Sequence, residues 1–324
     1  MRPRVFSGMQ PTGTIHLGNL LGAFSNWVAM QDDYDCIYCV VDLHAIASPF
    51  DPDEMRIART QLAKAFLAVG VDPDRSLVYR QADVPEHAEL MWLLGVDVTM
   101  GPLGRMTQYK EKSEKSGERF GLFAYPVLQA ADILIHKATA VPVGDDQTQH
   151  LELTRDIAER FNNRYGDTFP VPERITPPVG ARVMSLADPT AKMSKSDPNP
   201  HATVGVFEDP DSIMGKFKRA VTDSGSEVRY DWDEKPGISN LLEIHSYFSG
   251  RSIDDLVAEF GDTLYGHYKI AVGEAVVEGL RPIRERYDAL GDAEVEALLA
   301  EHAARAREMA SGTIAEVKAA MGLG

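Results

Sequence analysis

The sequence predicts an α/β protein, with a parallel β-sheet in the first half of the chain and a smaller, mainly helical part after it. In the first half, short apolar runs alternate with helical patterns of ten or more residues, which is typical of crossover units and a parallel sheet. Beyond about Leu186 only helical patterns follow. The 324 residues suffice for about two domains at roughly 150 residues each.

The first elements are a short strand, a helix and a second, buried strand. Residues 5–7 form an apolar run, and a helical pattern with an apolar stripe covers about 18–31. The continuous apolar run at 36–42 predicts a strand that is covered on both faces. Cys36 and Cys39 lie in it three residues apart, and therefore on opposite faces. Because no second pair could complete a zinc site, we expect two buried structural thiols.

The remaining elements are recognised by their ends and their periodicity. Asp51, Pro52 and Glu54 form a helix start, and Gly70 ends that helix. Further strands are predicted at 77–81 and 140–143, with helices at 86–94, 124–137 and 146–165. In the second part, helices are predicted at 238–248, 253–260, 264–280 and from 293 onward. A segment rich in Pro, Gly, Ser and Lys, residues 177–200, connects the two parts, and we place the domain boundary between residues 186 and 187.

Composition and charge restrict the function. The net charge of 33 − 49 = −16 argues against non-specific nucleic-acid binding, although clustered Lys and Arg could still bind a polyanion. No apolar run approaches the roughly 20 residues of a membrane helix. The first ten residues lack the layout of a signal peptide, and two cysteines exclude a disulfide framework. We therefore expect a cytoplasmic protein that does not contact a membrane.

A glycine-rich turn, residues 6–19, separates the first strand from the first helix. It lies at the carboxyl edge of the predicted sheet, where such sheets bind ligands, and the helix N-terminus offers N–H groups to a phosphate. The spacing of Gly13 and Gly18 begins like a P-loop, but Asn19 and Leu20 replace the required Lys and Ser/Thr. The turn alone leaves open the alternative of a glycine-rich turn without a ligand.

A second motif is the run Lys-Met-Ser-Lys-Ser at residues 192–196. Lys192 and Lys195 are compact cations that suit phosphate. Such a loop is usually solvated surface when it stands alone. Its place downstream of the glycine-rich turn and ahead of a helical part favours a mobile cationic clamp.

A third set is defined by spacing along the helix at 124–137. Tyr125, Gln129, Asp132 and His136 fall within about 60° of one another on one face. A solvent-facing stripe is the alternative, but these residue types are not the Lys and Glu that fill helix surfaces. The pattern therefore predicts the floor of a pocket.

These motifs resemble a known family. Residues 10–19, with His16-Leu-Gly-Asn19, resemble the first signature of the class I aminoacyl-tRNA synthetases, usually His-Ile-Gly-His, and residues 192–196 match the second without departure. Three further runs resemble the tryptophanyl branch in its bacterial form: residues 105–113, 142–162 and 236–242. The tyrosyl branch would show a Gly-Ser-Asp-Gln-Trp-Gly type of run after the fourth strand. The likeness covers nearly the whole chain.

The resemblance implies a Rossmann-like catalytic domain over residues 1–186 and a two-step reaction. L-tryptophan is activated with ATP to tryptophanyl-adenylate and then transferred to tRNA(Trp) in translation. The resemblance also implies Mg²⁺ that arrives with the ATP, no metal held by the protein itself, and a homodimer. Residues 187–324 would carry the lysine loop and an anticodon-binding helical domain whose last helix can pack back on the first domain. Arg281, Arg284 and Arg286 are its candidate basic contacts.

The resemblance also implies site residues. Lys112, Lys192 and Lys195 would be catalytic, because they meet charge that develops on the leaving pyrophosphate. The residues implied for ATP binding are Gln10, Pro11, Thr12, His16, Gly18, Asn19, Gly144, Asp145, Asp146, Val183, Lys192, Met193, Ser194, Lys195 and Ser196. Those implied for tryptophan binding are Phe6, Gly8, His44, Tyr125, Gln129, Asp132, Val141, Val143 and Gln147. Asp132 would accept the indole N–H, so phenylalanine would leave it unpaired.

Three alternatives stay open at this point. The first is a synthetase of the tyrosyl type. The second is a small adenylyltransferase, which would share the first signature but would need neither the helical half nor the run at 142–162. The third is an amino-acid sensor or paralogue without aminoacylation, against which the intact Lys192, Lys195 and Asp132 argue.

Overall fold

The computed structural model describes residues 2–144, 147–175, 183–195 and 197–324, and leaves the side chains of residues 111, 112, 115 and 116 undescribed. Its sheet has five parallel strands in the order β3-β2-β1-β4-β5. The strands are β1 (Arg4–Met9), β2 (Asp35–Val40), β3 (Ser76–Arg80), β4 (Ala140–Pro142) and β5 (Glu173–Ile175). The chain starts at the centre, winds to one side and then to the other. The reversal between β1 and β4 creates a crevice at the carboxyl ends of the strands, where open α/β sheets bind ligands.

Helices make up most of the remainder. In the first half they are α1 (Leu17–Asn19), a π-helical turn (Leu20–Phe24), α2 (Ser25–Met30), α3 (Asp42–Ala45), α4 (Pro52–Val69), α5 (Glu86–Gly95), α6 (Met100–Gly104), α7 (Thr107–Ser116), α8 (Phe120–Ile135) and α9 (Thr148–Tyr165). A 3₁₀ turn (Gln81–Asp83) follows β3. In the second half they are α10 (Pro210–Arg219), α11 (Pro236–Ser249), α12 (Ile253–Phe260), α13 (Tyr265–Ala289) and α14 (Asp292–Ala320). None of the helices in the described ranges is long and apolar enough to cross a membrane.

Both faces of the sheet are covered. Cys36, Tyr38 and Val40 belong to one hydrophobic cluster, which includes α4 and the helices of the second half. Ile37 and Cys39 point the other way, into a second cluster with α8, α9 and the end of α14. This alternation with period two explains why the strand is apolar throughout. The prediction that the two cysteines are buried on opposite faces is confirmed.

The last helix, α14, lies against the edge strand β3. The Val78 N–H donates to Nδ1 of His302 over 2.9 Å, and Arg80 Nη1 donates to Glu296 Oε1 over 2.8 Å. An uncovered edge strand exposes backbone donors and acceptors to other chains. The terminal helix therefore closes one edge of the sheet.

The α/β class with a parallel sheet is confirmed, and the structure differs from the sequence prediction at three places. β5 was not predicted, because a three-residue Glu-Arg-Ile strand carries no apolar run. The basic segment around Lys110, for which the sequence predicted no helix or strand, is the helix α7. The helix predicted to end at residue 280 continues past Pro282 to Ala289 as α13, and Arg284 donates to the Val277 carbonyl in the turn before that proline.

Candidate active site

A cleft of about 710 Å³ opens at the carboxyl ends of β1 and β4. It is bounded by the glycine-rich turn, by α8, by the segment after β4 and by the lysine loop. The predicted site residues that line it are Phe6, Gly8, Gln10, Gly18, His44, Tyr125, Gln129, Asp132, Val141, Val143, Gly144, Gln147, Val183 and Lys192. The sequence thus identified residues from five separate stretches that share one cavity.

The lysine loop lies on the glycine-rich turn. Lys195 Nζ donates to the Thr12 carbonyl over 2.6 Å and to the Thr12 hydroxyl over 2.5 Å. The aliphatic part of Lys195 crosses Gly13, where a Cβ atom would stand 2.9 Å from the lysine Cδ. The φ of +64° at Gly13 also favours glycine. The structure therefore brings together two motifs that are distant in the sequence.

The base of the lysine loop is fixed to the helical half. Met184 pairs with Lys192 as an antiparallel bridge, and the Met193 N–H donates to the Val183 carbonyl over 3.0 Å. The buried side chain of Asn240 in α11 accepts from the Met184 N–H over 2.9 Å and donates to its carbonyl over 3.1 Å. The base of the lysine loop, which includes Lys192, is therefore held against the helical half by backbone and side-chain hydrogen bonds.

His16 lies under the loop and is 5% exposed. Its backbone N–H donates to Asn19 Oδ1 over 3.1 Å. Its ring packs against Gly18, where a Cβ atom would stand 3.0 Å from atoms of the imidazole ring. Burial lowers the pKa of His16 to about 4, and the charges of Lys195 and Lys192 add to this. The imidazole is therefore neutral at neutral pH and can donate a hydrogen bond from one nitrogen.

Asp132 forms the floor of the cleft and is 1% exposed. His44 Nε2 lies 2.7 Å from Oδ2, while Gln81 Nε2 donates to Oδ1 over 2.6 Å and His87 Nδ1 lies 2.7 Å from the same oxygen. Burial raises the pKa of Asp132, but the charges and hydrogen bonds of His44 and His87 outweigh it and lower the pKa to about 2. The cleft therefore contains a buried, ionised carboxylate.

Tyr125 and Gln129 stand on the same face of α8. The Tyr125 hydroxyl donates to Gln108 Oε1 over 3.0 Å and lies 2.8 Å from His150 Nε2. Burial raises the pKa of Tyr125, so the phenol stays neutral. Gln129 is half-buried, and its amide has no hydrogen-bond partner among the residues that the structure describes. The alternative of a solvent-facing stripe is wrong for this helix.

The fourth member of that stripe lies elsewhere. His136 follows the end of α8, is 1% exposed and does not line the cleft. Its Nε2 lies 2.6 Å from the Tyr79 hydroxyl, and its ring stacks on Phe6 with centroids 6.0 Å apart. His136 therefore packs against Phe6, which lines the cleft, without lining the cleft itself.

Several residues beside the cleft were not recognised in the sequence. Gln108 and Arg174 line it, and Gln81 and His87 contact Asp132 from behind. Gln81 immediately follows β3, so the rule that ligands bind at carboxyl ends of strands could have found it. Arg174 lies in β5, the strand that the sequence pattern did not reveal.

Other predicted residues lie around the cleft or outside the description. Pro11 is buried in the glycine-rich turn, and the Ser194 carbonyl accepts from the Thr203 hydroxyl over 2.8 Å. The predictions for Asp145, Asp146, Ser196 and the Lys112 side chain lie outside the described residues. Within the described part of the chain, no group of three or more His, Cys, Asp or Glu could hold a metal ion.

The three arginines proposed as anticodon contacts are engaged within the chain. Arg281 is flanked by Glu278 and Glu285, and Arg286 Nε donates to the Ala68 carbonyl over 2.7 Å. Arg284 Nη1 donates to the Glu208 carbonyl over 3.1 Å. Their placement gives the anticodon prediction no support.

Sheet order, cleft position and helices on both faces make the chain a Rossmann-like α/β protein. The family model described as tRNA synthetases class I (W and Y) matches residues 1–281. The chain is 52% identical over 321 residues to a tryptophan–tRNA ligase from Caldanaerobacter subterraneus subsp. tengcongensis, covering 99% of this chain and 98% of that one.

Solved structures agree with this relationship. A tryptophanyl-tRNA synthetase from Mycoplasma pneumoniae superposes with a TM-score of 0.90 at 33% identity, covering 99% of this chain and 98% of the other. The enzyme from Campylobacter jejuni, complexed with ADP and tryptophan, gives a TM-score of 0.87 at 34% identity, with 99% and 100% coverage. The chain belongs to the class I tRNA synthetase family of the W and Y type. The resemblance inferred from the two signatures is thereby confirmed.

Proposed function

We propose that this chain is a tryptophan–tRNA ligase that activates L-tryptophan with ATP and transfers it to tRNA(Trp) in translation. The observation that carries the proposal is the contact of Lys195 with Thr12 beside a cleft whose floor is the ionised Asp132. One side of this cleft suits a triphosphate and the other suits an indole N–H. The relatives described above support the same assignment, because their names specify tryptophan and one structure holds ADP and tryptophan.

Activation needs charge stabilisation more than proton transfer. A carboxylate oxygen of tryptophan attacks the α-phosphorus of ATP, an O–P bond forms, and the bond to the bridging oxygen of pyrophosphate breaks. Because the attacking carboxylate is already ionised, no general base is required. Negative charge grows on the leaving pyrophosphate, and Lys192 and Lys195, with the Lys112 side chain, are proposed to meet it, together with Mg²⁺ that arrives with ATP.

We assign the remaining predicted residues to binding. The glycine-rich turn, Val183 and Met193 hold the nucleotide, with neutral His16 as a hydrogen-bond donor. Asp146 is proposed to accept from the ribose hydroxyls, and Asp145 is proposed to bind ATP. Asp132 accepts the indole N–H, Tyr125 and Gln147 hold the α-ammonium group, and buried Phe6, Val141 and Val143 form apolar walls.

We also propose a two-domain organisation with the boundary at 186/187, tRNA binding by the helical half, a cytoplasmic location and a homodimer. The dimer is supported by large apolar side chains exposed on or next to α5, α6 and the start of α8: Trp92, Val96, Met100 and Phe120. α5 and α6 both pack on α8, so these four side chains belong to elements that contact one another. Contiguous exposed apolar area marks interaction sites.

Amino-acid-dependent ATP–pyrophosphate exchange tests the proposed function. Exchange with tryptophan but not with tyrosine or phenylalanine, followed by charging of tRNA(Trp), supports it. Exchange with tyrosine alone would identify a tyrosyl-type enzyme. Exchange with none of the three amino acids would identify a sensor or paralogue without aminoacylation.

A further inference from the structure

A fully buried glutamine, Gln81, stands behind the floor of the cleft. Its side chain is 0% exposed and lies in the 3₁₀ turn directly after β3. The Leu43 N–H donates to Gln81 Oε1 over 3.1 Å, and Gln81 Nε2 donates to Asp132 Oδ1 over 2.6 Å. Because a backbone N–H can only donate, the amide oxygen must face Leu43 and the NH₂ group must face Asp132. The orientation of this side chain is therefore fixed from both ends.

The same contact fixes α3, which carries His44. Leu43 lies next to His44 in α3, and His44 Nε2 contacts Asp132 Oδ2 over 2.7 Å. A second hydrogen bond joins α3 to the 3₁₀ turn, because the Ala82 N–H donates to Asp42 Oδ1 over 2.9 Å. Both oxygens of Asp132 are thus contacted by groups whose positions depend on the junction between α3 and the 3₁₀ turn.

The two oxygens of Asp132 have different surroundings. Gln81 and His87, which contact Oδ1, do not line the cleft, whereas His44, which contacts Oδ2, does. Oδ1 therefore faces the protein interior and Oδ2 faces the cleft. A carboxylate oxygen has two lone pairs, so Oδ2 can accept one more hydrogen bond beside that of His44.

We propose that Gln81 is a positioning residue for amino-acid specificity: it holds Asp132 so that Oδ2 presents one lone pair to an indole N–H. This inference rests on the proposed function and extends it to a residue that does not touch the substrate. Without the amide, Oδ1 of Asp132 keeps only its contact with His87, so the carboxylate is held less firmly about its χ2 torsion. The Leu43 N–H of α3 also loses its acceptor. The site would then still bind an aromatic side chain, but it would no longer prefer one that carries an indole N–H.

The experiment measures how strongly the protein prefers an N–H. Tryptophan is compared with 3-benzothienylalanine, in which sulfur replaces the indole N–H at similar size. The ratio of kcat/KM for the two in ATP–pyrophosphate exchange reports the hydrogen bond. In the Gln81→Met variant we expect the ratio to fall about tenfold, mainly through KM for tryptophan, with KM for ATP unchanged. The Gln81→Leu variant removes the same amide with a second apolar side chain, so the ratio should fall there too.

Gln31→Met is the matched control. Gln31 is 2% exposed, accepts from the Asp72 N–H and the Ser76 hydroxyl over 2.8 Å each, and does not line the cleft. The Gln31→Met substitution should lower the free energy of unfolding and leave the ratio of kcat/KM for the two amino acids unchanged.

An unchanged ratio in a folded Gln81 variant, with exchange by the wild-type protein intact, would overturn this inference alone. An equal loss for both amino acids, or failure of both variants to fold, would make Gln81 a general structural residue and would overturn it as well. Absence of exchange by the wild-type protein would instead overturn the proposed function.

Discussion

Lys195 donates hydrogen bonds within its own chain, to the carbonyl and the hydroxyl of Thr12. Its ammonium group is thereby held next to the turn that is proposed to bind the triphosphate. At this scale the proposed chemistry depends on the single positive charge that Lys195 places at this turn. A group that meets charge developing in the transition state affects rate more than substrate affinity.

The first prediction concerns Lys195→Ala. We expect kcat for ATP–pyrophosphate exchange to fall by about a hundredfold, while the Kd for tryptophan changes little. The steady-state rate of exchange and equilibrium titration with tryptophan measure the two quantities. Lys218→Ala, at an exposed position in α10, is the matched control and should change neither. Equal losses in rate and tryptophan affinity would contradict the assigned role.

The second prediction concerns Asp132→Asn. The substitution replaces a charged acceptor that faces His44, Gln81 and His87 with a neutral amide. We expect the preference for tryptophan over phenylalanine in exchange to fall by about tenfold or more. Since the pKa of Asp132 is held at about 2, the wild-type preference should not vary with this group's titration between pH 4 and pH 8. Unchanged rejection of phenylalanine by the variant would remove Asp132 from the indole site.

Helical periodicity revealed part of the site and could not reveal the remainder. Tyr125, Gln129 and Asp132 follow a period that the sequence displays directly, and they share the cleft. Gln81 and His87 contact Asp132 across separations that no local pattern encodes. Such partners depend on how α5, α8 and the strand ends pack, which is a tertiary property.

At the scale of elements, strongly apolar strands and well-capped helices were predictable, and short or charged ones were not. Asp51 caps α4 by accepting from the N–H groups of Asp53 and Glu54, as its sequence indicated. β5 has only three residues and pairs with β4 at the sheet edge, so tertiary pairing decides its conformation. Pro282 disfavours a continuous helix, but packing of α13 against α10 and α11 overrides that preference.

The third prediction concerns the contact between α14 and β3. Burial lowers the pKa of His302, and its Nδ1 must stay unprotonated to accept from Val78. Because the unfolded chain takes up this proton near pH 6.5, the stabilisation is complete above that pH and declines as the pH falls below it. Equilibrium unfolding at pH 7.5 and 5.5 should show this decline.

The variants separate the hydrogen bond from the titration. His302→Asn keeps an acceptor oxygen without a titrating group, so it should lose less stability between pH 7.5 and 5.5 than the wild type. His302→Leu should lower the free energy of unfolding by about 1–3 kcal/mol at pH 7.5, because the buried Val78 N–H loses its acceptor. Identical pH dependence in wild type and His302→Asn would rule out this group as the source.

At the scale of the whole molecule, the chain is acidic, but positively charged side chains lie at its cleft. The net charge is −16, yet Lys192 and Arg174 line the cleft and Lys195 lies at its rim. Local charge rather than net charge governs binding of a polyanion at short range, because salt screens the distant carboxylates. The second unusual feature of the surface is the set of large apolar side chains exposed around α5 and α6.

The fourth prediction tests that surface as the dimer interface. Trp92 is 74% exposed and belongs to the apolar set on α5, α6 and the start of α8. Trp92→Glu should shift the protein to monomer in sedimentation velocity at micromolar concentration, because burying an unpaired carboxylate opposes association. Leu264→Glu, at a comparably exposed position at the start of α13, should leave the sedimentation coefficient unchanged. A dimer that persists in Trp92→Glu would exclude this face.

The late position of α14 in the chain has a consequence during biosynthesis. β3 is complete at residue 80, whereas the helix that covers its edge begins only at residue 292. While the ribosome adds the intervening residues, the emerging polypeptide carries an open strand edge whose partner does not yet exist. Exposed edges of this kind favour pairing between chains, so the nascent protein is most prone to aggregation before its last helix is synthesised.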